Sequence, residues 1–299
     1  MNVAVIDVGS NSLRLLVASV EGSDVTKLKR ERVYARLGDD AYRLGRIGAK
    51  KLELTRDVAA HYARIARKSG VERLETIVTA PGRQSANAKE LVGVLADATR
   101  ARVVVLSADD EGRLAWEGAV ARMGNPPETV AVVDLGGGSC EIAVGGATRG
   151  PTWVRSRDAG ALRVTRAFLG SDRPSDEEIE TARSEIRRLF GDLAPPLPDA
   201  ALAVGGTARA IGRIVGKRFG TDELEELAAA IARRGADAVV EDSGITLERA
   251  QTLLGGTLVL AEIARLLDSR LEVGRGGLRE GAALALARLA LARAKAAVA

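Results

Sequence analysis

The chain alternates between apolar runs and polar, glycine-rich breaks, and this pattern predicts strands and helices in two halves of similar plan. In the first half we expect strands at 3–7, 13–20, 25–34, 74–79 and 102–106, and helices at 49–69, 84–99 and 108–123. In the second half we expect strands at 130–134, 140–145, 151–157, 201–204 and 271–273, helices at 161–169, 175–191 and 207–216, and otherwise mostly helical chain. Both halves open with three antiparallel strands and continue as β/α units, which predicts a duplicated α/β architecture with mixed sheets and an interdomain cleft.

A breaker sequence marks the boundary between the halves. Gly124-Asn125-Pro126-Pro127 interrupts the periodic pattern, because glycine and proline end helices and strands. We therefore expect an N-terminal domain over residues 1–124 and a C-terminal domain over 125–299, a division that suits a chain of 299 residues. The Ala/Leu-rich run 278–299 contains several charges and is predicted to be a packed amphipathic helix, not a membrane span.

Two of the predicted strands end in nearly the same loop, 127 residues apart. Asp7 is followed by Val8-Gly9-Ser10-Asn11-Ser12, and Asp134 is followed by Leu135-Gly136-Gly137-Gly138-Ser139. A further strand follows each loop at once, so each forms a β-hairpin, whereas Walker and Rossmann loops open into a helix. One such turn alone is commonly only a turn, but its repetition in matching contexts favours a function. Backbone N–H groups of the loops would hold phosphate oxygens, and the aspartates would hold a hydrated divalent cation.

A third glycine-containing element follows the predicted strand 201–204. Gly205-Gly206-Thr207 runs directly into a predicted helix, and a helix N-terminus attracts anions through its unpaired N–H groups and its dipole. The alternative, a tight strand-to-helix connection without a ligand, is equally compatible with this segment taken alone.

The composition narrows the class of protein. Hydrophobic residues make up 46% and charged residues 28% of the chain, as in globular proteins. A net charge of +4 suits a polyanionic ligand without requiring nucleic acid. Cys140 and His61 are single residues of their types, which excludes an internal disulfide and a His/Cys zinc site. Because Asp7 also interrupts the only N-terminal apolar run, we expect a cytoplasmic protein that binds neither membranes nor nucleic acid.

The segments Asp7–Ser12, Asp134–Glu141 and Gly205–Thr207 closely resemble the exopolyphosphatase and guanosine-pentaphosphate phosphohydrolase (Ppx/GppA phosphatase) family, in its short two-domain form. Residues 78–87, 107–114 and 277–281 resemble further motifs of that family, so the resemblance covers essentially the whole chain. It implies two duplicated ribonuclease H-like domains of the actin-like ATPase superfamily. Pro81-Gly82 departs from the family pattern, which puts the local backbone before Arg83 in doubt.

The resemblance implies hydrolysis of a terminal phosphoanhydride by in-line attack of water. The predicted metal ligands for Mg²⁺ (or Mn²⁺) are Asp7 and Asp134, joined by Glu141, for which pairing with an arginine is the alternative. The predicted substrate-binding set consists of Arg83 and the loop residues Gly9, Ser10, Asn11, Ser12, Gly136, Gly137, Gly138, Ser139, Gly205, Gly206 and Thr207.

The general base is predicted from the acids that begin the helix after strand 102–106. With Ser107 as N-cap, Asp110 at the third helical position can make a capping-box-like contact, and the helix dipole alone favours Asp109. Glu111 is the acid that local structure explains least, and it matches the family's catalytic glutamate. We therefore predict Glu111 as the base, with Asp110 as the alternative.

Several arginines and lysines are weaker candidates, because the chain has 44 basic residues. Arg14, just after the first loop, could contact phosphate as Arg83 does. The basic segment 27–36 is interpreted as a solvated strand face in preference to a polyphosphate track.

Three functions stay open on these grounds. The first is an exopolyphosphatase that releases orthophosphate from the ends of polyphosphate. The second is a 5′-phosphohydrolase that converts pppGpp to ppGpp, and the third is a non-catalytic alarmone- or nucleotide-binding regulator. A fourth, an ATP-dependent kinase, is disfavoured by Asn11-Ser12. The expected partners are accordingly polyphosphate or guanosine penta/tetraphosphate, and the apolar C-terminal helices are compatible with a homodimer.

Overall fold

The computed structural model describes residues 1–296, with side chains described up to residue 292. Residues 297–299 of the predicted C-terminal helix lie outside the described residues. The chain divides into two compact units: the first contains Met1–Arg122 and the chain from Gly276 onward, and the second contains Met123–Arg275.

The first unit is built on a five-stranded mixed sheet of order β3-β2-β1-β4-β5. Strands β1 to β3 are antiparallel, and β4 and β5 run parallel to β1. The strands are β1 Asn2–Val8, β2 Leu13–Glu21, β3 Asp24–Val33, β4 Arg73–Val78 and β5 Arg102–Val105. The helices are α1 Leu37–Leu44, α2 Ala49–Lys68, α3 Ala80–Gln84, α4 Ala88–Thr99, α5 Ala108–Val120 and α12 Leu278–Ala296.

Helices cover both faces of this sheet. Successive residues of a strand point to opposite faces, and in the central strands both sets are apolar, so each face must be buried. One face, which we call the α2 face, packs Ile6, Leu15 and Val17 against α2 and α4. The other, the α12 face, packs Val5 and Leu16 against α5 and α12. Side chains at the end of β1 therefore emerge between two helical layers.

The second unit is built on a six-stranded mixed sheet of order β10-β11-β9-β6-β7-β8. The strands are β6 Thr129–Leu135, β7 Cys140–Gly146, β8 Gly150–Arg157, β9 Ala200–Val204, β10 Arg218–Phe219 and β11 Leu271–Val273. The helices are α6 Ala161–Phe168, α7 Asp176–Phe190, α8 Gly205–Ile214, α9 Thr221–Ser243, α10 Leu247–Ala250 and α11 Leu253–Leu266. The antiparallel trio β6-β7-β8 and the parallel neighbour β9 repeat the arrangement of β1-β2-β3 and β4.

The structure confirms the predicted α/β class and the two mixed sheets, and it differs from the predicted elements at a few places. The predicted helix 84–99 is two helices, α3 and α4, and helix α1 and the short strand β10 were not predicted. None of the described helices combines the length and the apolar character needed to cross a bilayer.

The C-terminal helix belongs to a different unit from the one predicted by a division at residue 124. The prediction placed it in the C-terminal domain, whereas α12 joins the first unit. The physical reason is its apolar side: Leu278, Ala283 and Leu286 are buried in the same cluster as Val3 and Val5.

Candidate active site

The first glycine-containing loop is a tight turn held in place from one side. The N–H of Gly9 donates to the carbonyl oxygen of Ser12 at 3.2 Å. The carbonyl oxygens of Ser10 and Asn11 accept hydrogen bonds of 2.8 Å and 3.1 Å from the N–H groups of Gly38 and Arg36, at the start of α1. Because the two ends of a trans peptide point in opposite directions, the N–H groups of Asn11 and Ser12 point away from α1. They are therefore oriented as donors for a ligand.

The second loop repeats this construction in the second unit. The N–H of Gly136 donates to Ser139 at 3.1 Å, and the carbonyl oxygens of Gly136 and Gly137 each accept a 3.0 Å bond from the start of α6. The N–H groups of Gly137 and Gly138 consequently point away from α6. A β-carbon on Gly160, the N-cap of α6, would lie 2.3 Å from the carbonyl carbon of Gly137. Only glycine at 160 allows α6 to approach the loop so closely.

Asp7 is the last but one residue of β1 and is buried, with 7% of its surface exposed. Burial raises the pKa of its carboxyl group, and the nearby charge of Glu280 adds to this effect. Arg14, its partner on β2, and Arg279 lower the pKa in opposition to burial. A buried carboxylate with a raised pKa is more stable in its charged form when a cation binds beside it.

Asp134 occupies the equivalent position on β6, but its surroundings differ. Its partner on β7 is Glu141, which is buried and accepts a 2.8 Å hydrogen bond from the hydroxyl of Ser156. The two acids are therefore neighbours on one face of the sheet. Gly205 adopts a φ of +96°, and a β-carbon there would lie 3.3 Å from Oδ1 of Asp134 and 2.9 Å from the carbonyl oxygen of Leu135. The second unit thus brings Asp134, Glu141 and the Gly-Gly-Thr segment together.

The Gly-Gly-Thr segment begins α8, as the sequence predicted, and a buried arginine covers it. Nη1 of Arg249 donates to the hydroxyl of Thr207 at 3.1 Å. A β-carbon on Gly206 would lie 2.3 Å from Nη2 of the same guanidinium. Arg249 is only 7% exposed, and sequence reasoning missed it because no local pattern around residue 249 points to a site.

Glu111 and Arg83, the predicted base and the predicted phosphate-binding arginine, form an ion pair. Nη1 of Arg83 lies 2.8 Å from Oε2 of Glu111 and also donates to the carbonyl oxygen of Leu106 at 3.0 Å. Glu111 is 5% exposed, whereas Asp109 and Asp110 are exposed. The hydroxyl of Ser107 accepts the N–H of Asp110 at 3.1 Å and donates to its carboxylate at 2.7 Å. The predicted cap is confirmed, and it uses Asp110. Of the three acids at the start of α5, only Glu111 is buried.

The unusual Pro81-Gly82 pair before Arg83 has a packing role. Pro81 lies in the first turn of α3, where its missing N–H leaves no hydrogen bond unmade. A β-carbon on Gly82 would lie 2.8 Å from Val105, so glycine allows α3 to approach the end of β5. The first loop, Arg83 and Glu111 all follow the carboxyl ends of the parallel strands β1, β4 and β5. Ligands of open α/β sheets bind at such ends.

Comparison with known proteins agrees with this arrangement. The model of the Ppx/GppA phosphatase family matches residues 15–289. The chain belongs to the Ppx/GppA phosphatase family. Exopolyphosphatase 2 of Mycobacterium tuberculosis is 31% identical over 95% of this chain and 98% of that protein. Exopolyphosphatase 1 of Mycobacterium leprae is 27% identical over 94% of this chain and 88% of that protein.

Solved structures agree on the fold of this Ppx/GppA chain. An exopolyphosphatase-like protein superposes with a TM-score of 0.87 at 23% identity, over 96% of this chain and 98% of that one. The Aquifex aeolicus family member superposes with a TM-score of 0.80 at 24% identity, over 95% and 97%. The chain therefore has two ribonuclease H-like domains of the actin-like ATPase class, and as a member of this family it is a hydrolase of phosphoanhydride bonds.

The donor set of this Ppx/GppA chain fits a hard cation. The predicted ligands are carboxylates, and Mg²⁺ prefers oxygen ligands, commonly one or two carboxylates with waters and substrate phosphates. Among the described residues, no three or more Asp, Glu, His or Cys side chains gather into an all-protein cage. The residues present therefore suit a hydrated ion and not a closed structural site of the zinc type.

Proposed function

We propose that this protein is an exopolyphosphatase that hydrolyses the terminal phosphoanhydride bond of inorganic polyphosphate and releases orthophosphate. The observation that supports this most is the ion pair between the buried Glu111 and the half-buried Arg83, which follows the same end of the sheet as the first glycine-containing loop. The names of the relatives, both exopolyphosphatases, agree with this substrate. The proposed place of the reaction is the cytoplasm, in keeping with a single, buried cysteine that cannot form an internal disulfide.

The proposed site residues of the first unit have roles that follow from their chemistry. Glu111 accepts the proton of the attacking water, a role that contributes about 10²–10⁴-fold in rate. The guanidinium of Arg83 stabilises the charged carboxylate and the negative charge of the terminal phosphate. The N–H groups of Asn11 and Ser12 hold phosphate oxygens.

The second unit supplies a second set of phosphate donors. The N–H groups of Gly137 and Gly138 are oriented like those of the first loop. The start of α8 adds N–H groups of its own, with the guanidinium of Arg249 3.1 Å from the hydroxyl of Thr207. Helix N-termini and arginines both stabilise phosphate charge.

Mg²⁺ or Mn²⁺ is the proposed cofactor. The carboxylates proposed as its ligands are Asp7 for the first unit and Asp134 with Glu141 for the second. When bound, a divalent cation neutralises charge on the phosphate oxygens. Burial raises the pKa of the Asp7 carboxyl group. A cation bound beside it would lower this pKa again and stabilise the charged form.

Orthophosphate release with Mg²⁺ or Mn²⁺ tests the proposal, with tripolyphosphate, long-chain polyphosphate and pppGpp offered in parallel. Faster release from polyphosphate supports an exopolyphosphatase, and faster release from pppGpp supports the alternative, a 5′-phosphohydrolase that makes ppGpp. Release from none of the three contradicts both.

Two matched variants test the assignment of the base. Glu111→Gln keeps the size of the side chain and should lower turnover about 10²–10⁴-fold. Asp110→Asn changes the neighbouring exposed acid in the same way and should keep turnover within a few-fold. The opposite result would make Asp110 the base, the alternative that the sequence left open.

A further inference from the structure

We propose that the outer edge of the first unit's sheet binds the distal phosphates of a long polyphosphate chain through Arg30 and Arg32 of β3. This inference rests on the proposed function and adds to it a subsite outside the loops. For Arg30 and Arg32 it replaces the interpretation of segment 27–36 as a solvated strand face. It concerns β3 because that strand is the edge of its sheet, next to the strand that leaves the first loop.

The pairing of the strands aligns this edge with the site. Asp7 on β1 pairs with Arg14 on β2, and Arg14 pairs with Arg32 on β3. Directly paired residues present their side chains on the same face of a sheet, so Asp7, Arg14 and Arg32 form one row across three strands. Neighbouring strands lie about 4.8 Å apart, which places Arg32 about 10 Å from Asp7 along this row.

The row continues along β3 away from the loop. Arg30 pairs with Leu16, and Leu16 belongs to the α12 face. A register shift at Val17/Ala18 leaves Leu28 without a partner, so Lys27 pairs with Ala18 and emerges on the same face. There the ammonium group of Lys27 is 2.9 Å from Glu280 of α12, which marks where the available positive charge ends.

Charge is segregated between the two faces of this strand. Arg30 and Arg32 share the α12 face, while Glu31 pairs with Leu15 and so lies on the α2 face. Both arginines are exposed. Within the described part of the chain Arg30 has no hydrogen bond or ion pair, and the guanidinium of Arg32 contacts only the ring and hydroxyl of Tyr34. Among the residues that the structure describes, no acid forms an ion pair with Arg30 or Arg32, so the row is available to an anion.

A flexible chain of phosphates fits such a row better than a compact anion does. Exposed cations spaced along a strand bind a polyanion through several weak contacts, and each contact makes the affinity more sensitive to salt. A polynucleotide has the same charge, but the row offers no set of aromatic rings on which bases could stack. We therefore assign polyphosphate as the ligand and keep polynucleotide as a competitor in the test.

The test compares Arg30→Glu/Arg32→Glu with the control Arg64→Glu/Lys68→Glu. The control changes the same charges at exposed positions of α2, on the opposite face of the sheet. We expect the double variant Arg30→Glu/Arg32→Glu to raise KM for long-chain polyphosphate about tenfold. It should change kcat/KM for tripolyphosphate less than twofold. The control should change neither value.

Binding of long-chain polyphosphate to the same pairs in the Glu111→Gln background separates this inference from the proposed function. The subsite is supported if only the Arg30→Glu/Arg32→Glu variant binds long-chain polyphosphate more weakly than its parent, and with a smaller salt dependence. This holds even if the wild-type protein hydrolyses another substrate. Equal losses on short and long chains, equal losses in the control, or no loss at all would overturn it. Competition by a polynucleotide as strong as that by polyphosphate would overturn the assigned ligand.

Discussion

The contact between α5 and the start of α12 allows a direct test of how the fold positions Glu111. The two backbones meet through glycines and leave no space for a side chain. A β-carbon on Gly118 would lie 2.1 Å from the carbonyl oxygen of Gly277 and 2.4 Å from the nitrogen of Gly281. Since β-carbons essentially never approach other heavy atoms within 3.0 Å, Gly118→Ala must move one backbone by about 1 Å.

The expected size of the effect follows from this displacement. Overpacking of this kind costs about 1–3 kcal/mol, and the better helix propensity of alanine offsets about 1 kcal/mol. The net change in the free energy of unfolding is a loss of about 0–2 kcal/mol. Glu111 lies about two turns before Gly118 on the same helix. A catalytic group misplaced by about 1 Å loses about 10²-fold in rate, so activity should fall more than stability.

Gly93→Ala is the matched control, because Gly93 is an exposed interior residue of α4 and no atom lies within 4 Å of the position that its β-carbon would occupy. It should gain about 0.5–1 kcal/mol of stability and keep full activity. Urea unfolding at fixed pH and orthophosphate release at saturating substrate measure the two effects. The reasoning is refuted if Gly118→Ala equals Gly93→Ala in both the unfolding midpoint and kcat.

Three further substitutions test other contacts of the site. Arg83→Ala removes the cation beside the proposed base and should lower kcat at least about 10²-fold, with partial recovery in Arg83→Lys measured by the same phosphate assay. Asp7→Asn should abolish turnover yet raise the urea midpoint at pH 7, because burial raises the pKa of this acid. Below its ordinary pKa of 3.8 the Asp7 carboxyl is protonated in both the folded and the unfolded protein, and it does not destabilise the fold. As the pH rises through the raised pKa of the folded state, the wild-type protein loses stability. The higher urea midpoint of Asp7→Asn relative to wild type should therefore vanish in acid. Gly160→Ala should displace the second loop through its 2.3 Å contact with Gly137 and raise KM, whereas Gly146→Ala, with its nearest atom at 3.6 Å, should not.

Elements that depend on local sequence were predictable from the chain alone. The first strand of each hairpin is a continuous apolar run that ends in a small-residue loop. Both loops are closed by the same type of turn hydrogen bond. The cap at Ser107 is also local, and the predicted contact between Ser107 and Asp110 is confirmed. Helix α1 was not predictable, because its N-cap is Arg36 in the left-handed conformation, with φ of 49° and no capping side chain.

Long-range contacts account for what the sequence did not predict. Arg83 and Glu111 were each predicted, but their pairing joins residues 28 positions apart. Arg249 reaches Thr207 across 42 positions, and no periodicity or motif connects them. The place of α12 in the first unit likewise depends on which apolar surface it covers. Such contacts are decided by tertiary packing and leave no trace in local pattern.

The repeated turn is not used in the same way in the two units, because the residue that pairs with each aspartate differs. Arg14 faces Asp7, and its positive charge opposes the effect of burial on that carboxyl group. Glu141 faces Asp134 and places a second acid on the same face, with one oxygen held by Ser156. Paired acids attract a cation, whereas an acid beside an arginine leaves a local field that accepts an anion more readily. Under the proposed function, the duplicated fold supplies N–H donors for phosphate oxygens in each unit and concentrates negative charge in the second, where that charge would attract a divalent cation.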